Sequence, residues 1–342
     1  MPIRTIAAGS AVFAAIVGGL WILWQVVDVL LVVFAGVLLA VIWRNAGERL
    51  ASLSRLPARL GTAVVIALTF VATAGFIWSI GPLVANQADQ LAENVVQTLS
   101  RLEEEASRYA WGRWVYRDAL PSLGEGGDGA QLLGRITGAF STALGILGNL
   151  VVILMVGIYT ALTPAEYRAG AVSLLPPRHR KRGREVLSAL DRGLWHWLLG
   201  QLVAMFGVGI ATTLGLWLLG IPLAIVLGII AGVLNFIPLA GPFLAAVPAV
   251  LVAFAQSPTD ALYVALLFLG VQQLEGNVLT PLAQQQAVNL PPATLLASLA
   301  AFGVLLGPLG VLLATPLAVV VTVLVKMIYI EGVLEEPAED LP

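Results

Sequence analysis

Glu275 stands in unusual company. From Gly193 to Val325 the chain has no lysine or arginine, two acidic residues, Asp260 and Glu275, and one histidine, His196. Around Glu275 the residues turn polar, Gln272-Gln273-Leu274-Glu275-Gly276-Asn277-Val278-Leu279-Thr280-Pro281, after an apolar run from Ala261 to Val271. On a helix, Glu275, Gln272, Gly276, Thr280, Gln273 and Asn277 spread over about 200° of one side, with Leu279 intruding and Leu274 and Val278 opposite. Such a face is costly against lipid, and a carboxylate at membrane depth is a functional hypothesis by default. The chemistry within its reach is binding and proton exchange: it can alternate between protonated and charged states as a substrate or cation enters. A packing network of amides around a neutral glutamic acid is the other reading of the same residues.

Most other chemistries lack their residues. A phosphate loop needs Gly-x-x-x-x-Gly-Lys-Ser/Thr, and the two lysines, Lys181 after Arg180 and Lys326 after Val325, do not fit it. Gly124-Glu125-Gly126-Gly127-Asp128-Gly129 matches Gly-x-Gly-x-x-Gly, but no strand precedes it and its carboxylates repel a pyrophosphate. His179 and His196 are too few and too far apart for a zinc site, and the absence of cysteine removes thiolate ligands, thiol nucleophiles and disulfides. The residues therefore point to no catalytic group, no metal site and no cofactor, and nothing suggests nucleic-acid binding.

The elements that hold Glu275 must be hydrophobic helices. Of 342 residues 59% are hydrophobic and 11% charged, where a soluble domain has roughly 25% charged residues. Crossing a bilayer takes about 20 consecutive apolar residues, and several stretches reach that length. Thr5 to Trp43 would be about 58 Å long as one helix against a core of about 30 Å, which predicts a fold-back near Gln25 to Asp28. The apolar start is read as a retained first span, because no small-residue cleavage site follows it. Further spans are predicted at about 60–83, 144–162 and 202–219. Basic loops hold Arg44, Arg49, Arg55 and Arg59, then Arg168, Arg178, Arg180, Lys181, Arg182, Arg184 and Arg192. The positive-inside rule puts both in the cytoplasm and the polar stretch between them outside. Outside, Leu91, Val95, Leu99, Leu102, Ala106 and Tyr109 make one apolar helical stripe. That stripe suits the membrane surface or a neighbouring subunit better than a separate ligand-binding domain.

The organisation predicted is three N-terminal helices over 1–83, the external segment over 84–140, a fourth helix and basic loop over 141–197, a transport core over 198–330 and an acidic tail over 331–342. The core holds two apolar blocks, Leu223 to Gln256 and Ala293 to Lys326, each interrupted near its middle. The first break includes Asn235, Pro238, Gly241 and Pro242, and the second Gly307, Pro308 and Gly310. Paired interruptions point to a transporter's binding site, since freed backbone groups at membrane depth need protein or water around them. Ordinary spans joined by short turns remain the alternative. The small-residue pairs Gly228 with Gly232 and Gly303 with Gly307 offer surfaces for close helix approach, between subunits or within one.

Three passages carry a family resemblance. Gly232-Val233-Leu234-Asn235-Phe236-Ile237-Pro238-Leu239-Ala240-Gly241-Pro242, the stretch Gln272 to Pro281, and Phe302-Gly303 followed by Gly307-Pro308-Leu309-Gly310-Val311-Leu312-Leu313-Ala314-Thr315-Pro316 resemble the bacterial autoinducer-2 exporter family of permeases. The chain departs from that pattern at Gln284-Gln285-Gln286, after Pro281. The resemblance implies an all-α, multi-pass protein of about eight transmembrane helices in the bacterial inner membrane, forming a homo-oligomer and exporting a small polar solute such as autoinducer-2. A Na⁺(Li⁺)/H⁺ antiporter or an oligomeric channel is the alternative function. Both termini are expected in the cytoplasm. The expected transport path holds Glu275, Gln272, Gln273, Asn277 and Asn235, and the expected gating points are Pro238, Gly241, Pro242, Pro281, Gly307, Pro308 and Gly310.

Overall fold

A computed structural model describes residues 3–79, 81–82, 148–237, 240–279 and 291–333. The segment 84–140 expected outside the membrane, Pro238, Pro281, Gln284 to Gln286 and the tail from residue 334 lie outside the described residues. Those described form helices and no strand. In chain order they are α1 (Ile3–Ser54), α2 (Ala58–Ser79), α3 (Gly148–Leu162), α4 (Pro164–Ser173), α5 (Arg180–Leu218), α6 (Ala224–Leu234), α7 (Ala240–Gln256), α8 (Pro258–Leu274) and α9 (Pro292–Leu324). A π-helical turn follows α8 at Glu275–Leu279 and another follows α9 at Val325–Ile330. Among the described residues four helices are long and apolar enough to cross a membrane, or five if the bent pair α3 and α4 is counted as one span. Exposed Leu68, Val71, Phe206, Ile210, Trp217 and Phe243 give these helices the apolar outer surface that lipid requires. The chain is an all-α, multi-pass membrane protein.

The expected fold-back at Gln25 to Asp28 does not occur. α1 runs unbroken for 52 residues, about 78 Å, because no glycine or proline interrupts that point and helical hydrogen bonding continues through an isolated Asp28. The chain first reverses at Arg55, whose φ is 55°, just before Pro57. The second basic stretch also proves helical: Arg168 lies on α4, and Arg180 to Arg192 form the first turns of α5. Pro177 starts a short 3-10 turn that leads directly into α5, leaving a brief connection.

Two compact units are present, residues 1–45, 148–191 and 290–342 in one, and 46–147 and 192–289 in the other. In the first, Gly36 and Gly157 bring α1 against α3, where a Cβ on Gly36 would lie 2.8 Å from Val156 Cβ, and Trp43 is buried beside them. Arg44 and Arg168, at 3.2 Å, both reach Asp191. The acidic end of the described chain is tied back by Arg182, which donates to Glu331 at 2.6 Å and to Glu185 at 3.3 Å.

Gly307 divides α9. Its φ of 65° and ψ of −155° are non-helical, in a region essentially reserved for glycine. A Cβ on Gly303 would meet Val311 Cγ2 at 2.9 Å, and one on Gly310 would meet the Phe302 carbonyl oxygen at 2.1 Å. Residues eight apart along a continuous helix are about 12 Å apart, so these contacts mean that the chain turns sharply back at Gly307. Gly307→Ala is expected to destabilise this unit by about 1–3 kcal/mol, read as a lowered melting temperature in detergent. A melting temperature unchanged from wild type would show that the sharp turn is not required.

In the second unit α6 and α7 form an antiparallel hairpin. Ala231 and Ala245 share one core cluster, and Leu227 and Ala249 another. α7 and α8 pack together as the next antiparallel pair. Ser257 sets the start of α8: its Oγ accepts the Asp260 backbone N–H at 3.1 Å and donates to the Asp260 carboxylate at 2.8 Å, and Pro258 occupies the first helical position. α5 closes against α6 through glycines, because a Cβ on Gly232 would lie 2.8 Å from the Met205 carbonyl oxygen and one on Gly228 1.8 Å from Thr213 Oγ1. Of the small-residue pairs singled out in the sequence, Gly228, Gly232 and Gly303 therefore serve contacts within the chain, whereas Gly307 serves the turn's backbone conformation.

Candidate functional site

The tip of the α6–α7 hairpin, the end of α8 and the middle of α5 meet around Asn235. α6 ends at Leu234, and the Asn235 backbone N–H still bonds to the Ala231 carbonyl at 3.0 Å, so Asn235 occupies the cap with its side chain free for other contacts. Gly241 allows the chain to return directly over this cap: a Cβ there would lie 1.9 Å from the Leu234 carbonyl oxygen. No side chain larger than hydrogen fits that approach. Phe236 is fixed by an edge-to-face contact with Trp197, with ring centroids 5.9 Å apart.

Asn235 Nδ2 donates to Glu275 Oε1 at 2.9 Å, and Gln272 Nε2 donates to Glu275 Oε2 at 3.1 Å. From α5, Gln201 Nε2 donates to the Asn235 backbone carbonyl at 2.6 Å. Asn235 and Gln201 are buried and Glu275 is half-buried. Each carboxylate oxygen thus has an amide donor. Asn235 Oδ1 is buried and has no partner among the described residues. A buried acceptor without a donor costs about 1–3 kcal/mol, and it lies on the same amide that holds the carboxylate. An open carbonyl oxygen beside a carboxylate is an arrangement that accepts a cation, a proton donor or a hydroxyl.

Of the site residues expected from the sequence, Glu275, Gln272 and Asn235 are brought together. Gln273 and Asn277 are exposed and bond to each other, Asn277 Nδ2 donating to Gln273 Oε1 at 2.9 Å. Gly241 shapes the hairpin tip and Pro242 lies in the first turn of α7. Gly307, Pro308 and Gly310 shape the other unit's sharp turn. Gln201 escaped the sequence reading because it lies just outside the span expected at 202–219. Its signal was available nonetheless, as an amide in a long run almost without charge. The buried Thr212, whose Oγ1 also lacks a partner, was missed as well, since a lone threonine in a helix is unremarkable in a sequence.

Comparison with known proteins agrees with this architecture. The chain is 31% identical over 271 residues to YueF of Bacillus subtilis (strain 168), a protein named for transport, covering 75% of this chain and 73% of YueF. It is 32% identical over 198 residues to YrrI of the same organism, also named for transport, covering 57% of this chain and 56% of YrrI. It is 29% identical over 193 residues to TqsA of Escherichia coli (strain K12), named an AI-2 transport protein, covering 54% of this chain and 56% of TqsA. A family model described as AI-2E family transporter matches residues 11–330, so this multi-pass helical protein belongs to the AI-2E transporter family.

Proposed function

We propose that this protein moves a small polar solute across the bacterial inner membrane by gradient-driven secondary transport, with Glu275 and Asn235 at the coupling site. The observation that carries this reading is the buried Asn235 Oδ1, without a partner among the described residues, on the amide that holds the Glu275 carboxylate. When Glu275 is ionised it accepts from Asn235 Nδ2 and leaves Oδ1 facing no donor. When Glu275 is protonated its hydroxyl can donate, and a rotated Asn235 amide can receive that bond. Amide rotation of this kind changes only which atom faces which. Proton uptake and cargo release at one amide is a coupling device, and the resemblance to TqsA supports autoinducer-2 as the exported solute.

A Na⁺(Li⁺)/H⁺ antiport reading is favoured by the same oxygen atoms, because hard monovalent cations take carboxylate and carbonyl ligands. The basic stretches at Arg44 to Arg59 and Arg168 to Arg192 support a cytoplasmic location for both, while the cytoplasmic N-terminus expected from a folded-back pair of first spans loses that support because α1 is unbroken. A homo-oligomer completes the proposal and leaves room for a channel at its axis. Proteoliposomes distinguish the readings. Saturable flux with a fixed proton ratio to autoinducer-2, or to Na⁺ or Li⁺, is expected. A large current that never saturates would assign the protein to channels, and folded protein that moves none of these would remove both substrate assignments.

A further inference from the structure

A cavity of about 440 Å³ lies between α4 and the first turns of α5, and it shares no residue with the Glu275 network. Arg168, Arg180 and Arg184 line it, together with the hydroxyl-bearing Ser173 and Ser188. No carboxylate is among its lining residues. Arg168 spends part of its guanidinium on Asp191 at 3.2 Å, and Arg180 Nε donates to the Leu175 carbonyl at 3.2 Å. Three cations around one cavity repel one another unless an anion joins them, and guanidinium groups are suited to phosphate oxygens through paired N–H donors. Ser188 adds a neutral donor of the kind that completes a phosphate's hydrogen bonds, whereas the Ser173 hydroxyl already donates to the Gly170 carbonyl at 2.7 Å.

The cavity's surroundings indicate which phosphate. α4 leaves α3 at 92°, bent at Thr163 and Pro164, so if α3 crosses the bilayer α4 runs along its surface. Tyr167 and Leu174 are exposed beside the arginines, Leu174 by 86%, and Val172 and Leu187 give the cavity an apolar wall. Basic groups at headgroup level with apolar side chains next to them match an anionic lipid, whose phosphate and acyl chains are joined.

We propose that this cavity binds a phosphate group, and that the bearer is an anionic membrane lipid rather than a free phosphate. The site is independent of the transported solute, and its failure would leave the coupling proposal untouched. The test uses full-length protein in detergent, with native mass spectrometry and thermal melting in the presence of phosphatidylglycerol, phosphatidylcholine, inorganic phosphate or pyrophosphate. Phosphatidylglycerol is expected to stay bound and raise the melting temperature. Arg180→Gln with Arg184→Gln should weaken its retention at least about tenfold by removing two charge-assisted contacts, and Arg180→Lys with Arg184→Lys should restore part of it. Both variants keep Arg168 and its Asp191 contact, and matching elution profiles establish that they are folded. Stabilisation by pyrophosphate or phosphate alone, lost in the double glutamine variant, would support the phosphate site but overturn the lipid as bearer. Equal binding of every lipid and anion by wild type and the glutamine variant would overturn the site altogether.

Discussion

Glu275→Gln is expected to lower gradient-driven flux by about tenfold to a hundredfold while leaving the protein as stable as the parent. The substitution keeps the side chain's size and removes its charge and titratable proton. In the hairpin site the carboxylate takes one bond from Asn235 Nδ2 and one from Gln272 Nε2. A glutamine at 275 can still accept from Asn235 through its carbonyl oxygen. Its amide nitrogen then faces Gln272, and rotating the Gln272 amide presents an acceptor to it, so the number of hydrogen bonds is conserved. What is lost is the charge and its titratable proton, and a contact to the cargo weakened by about 1.5–3 kcal/mol for want of that charge lowers the rate about tenfold to a hundredfold, each 1.36 kcal/mol being worth about tenfold. The pH dependence of flux should flatten in the same variant. Proteoliposome flux across a range of pH, paired with melting temperature, checks both halves. Wild-type flux with wild-type pH dependence would leave Glu275 a packing role only.

Gly241→Ala is expected to lower both stability and flux, and here the two losses have one origin. The added Cβ would lie 1.9 Å from the Leu234 carbonyl oxygen and 2.5 Å from its carbonyl carbon. These are backbone atoms at the end of α6, and they cannot swing aside as a side chain would. Relief requires the hairpin to open, which displaces Asn235 and with it the Glu275 carboxylate. Overpacking of this kind costs about 1–3 kcal/mol and occasionally more, and should appear as a fall of several degrees in melting temperature. Gly270→Ala serves as the control, because nothing lies within 4 Å of a Cβ at that exposed position on α8. Gly270→Ala should melt like wild type. If Gly241→Ala did so too, the close return of the chain over Leu234 would be refuted.

The general architecture was legible because composition decides it: a chain this apolar and this poor in charge has to be helical in lipid. The candidacy of Asn235, Gln272 and Glu275 was legible for a related reason, since polar residues stand out where nearly everything else is apolar. The sharp turns were legible as glycine and proline clusters, although Gly241 and Gly307 proved to act differently. Gly241 permits a close approach and Gly307 a backbone conformation. Length arithmetic misled at α1, where the thickness of a bilayer limits what is buried in lipid but does not oblige a helix to stop. Charge misled at Arg180 to Arg192, where arginine density suggested a loop although arginine is a good helix former. The split between Glu275 with Gln272 on one side and Gln273 with Asn277 on the other follows from the wheel, where the two pairs lie at opposite ends of the polar arc, but the change of winding was not legible. The wheel assumed α-helical winding to Pro281, and the winding changes at Glu275 itself.

That change of winding would give the proposed site a moving part. Glu275 is the first residue of a π turn, and a π turn carries an extra residue relative to the α-helix it continues. Tightening it to α-helical pitch would rotate the chain on one side of it by about one residue's worth, roughly 100°. No hinge need open and no helix need slide for this to happen. A screw of one thread would carry the carboxylate toward Asn235 or away from it, so at the proposed coupling site the carboxylate's position would follow torsion along a single helix.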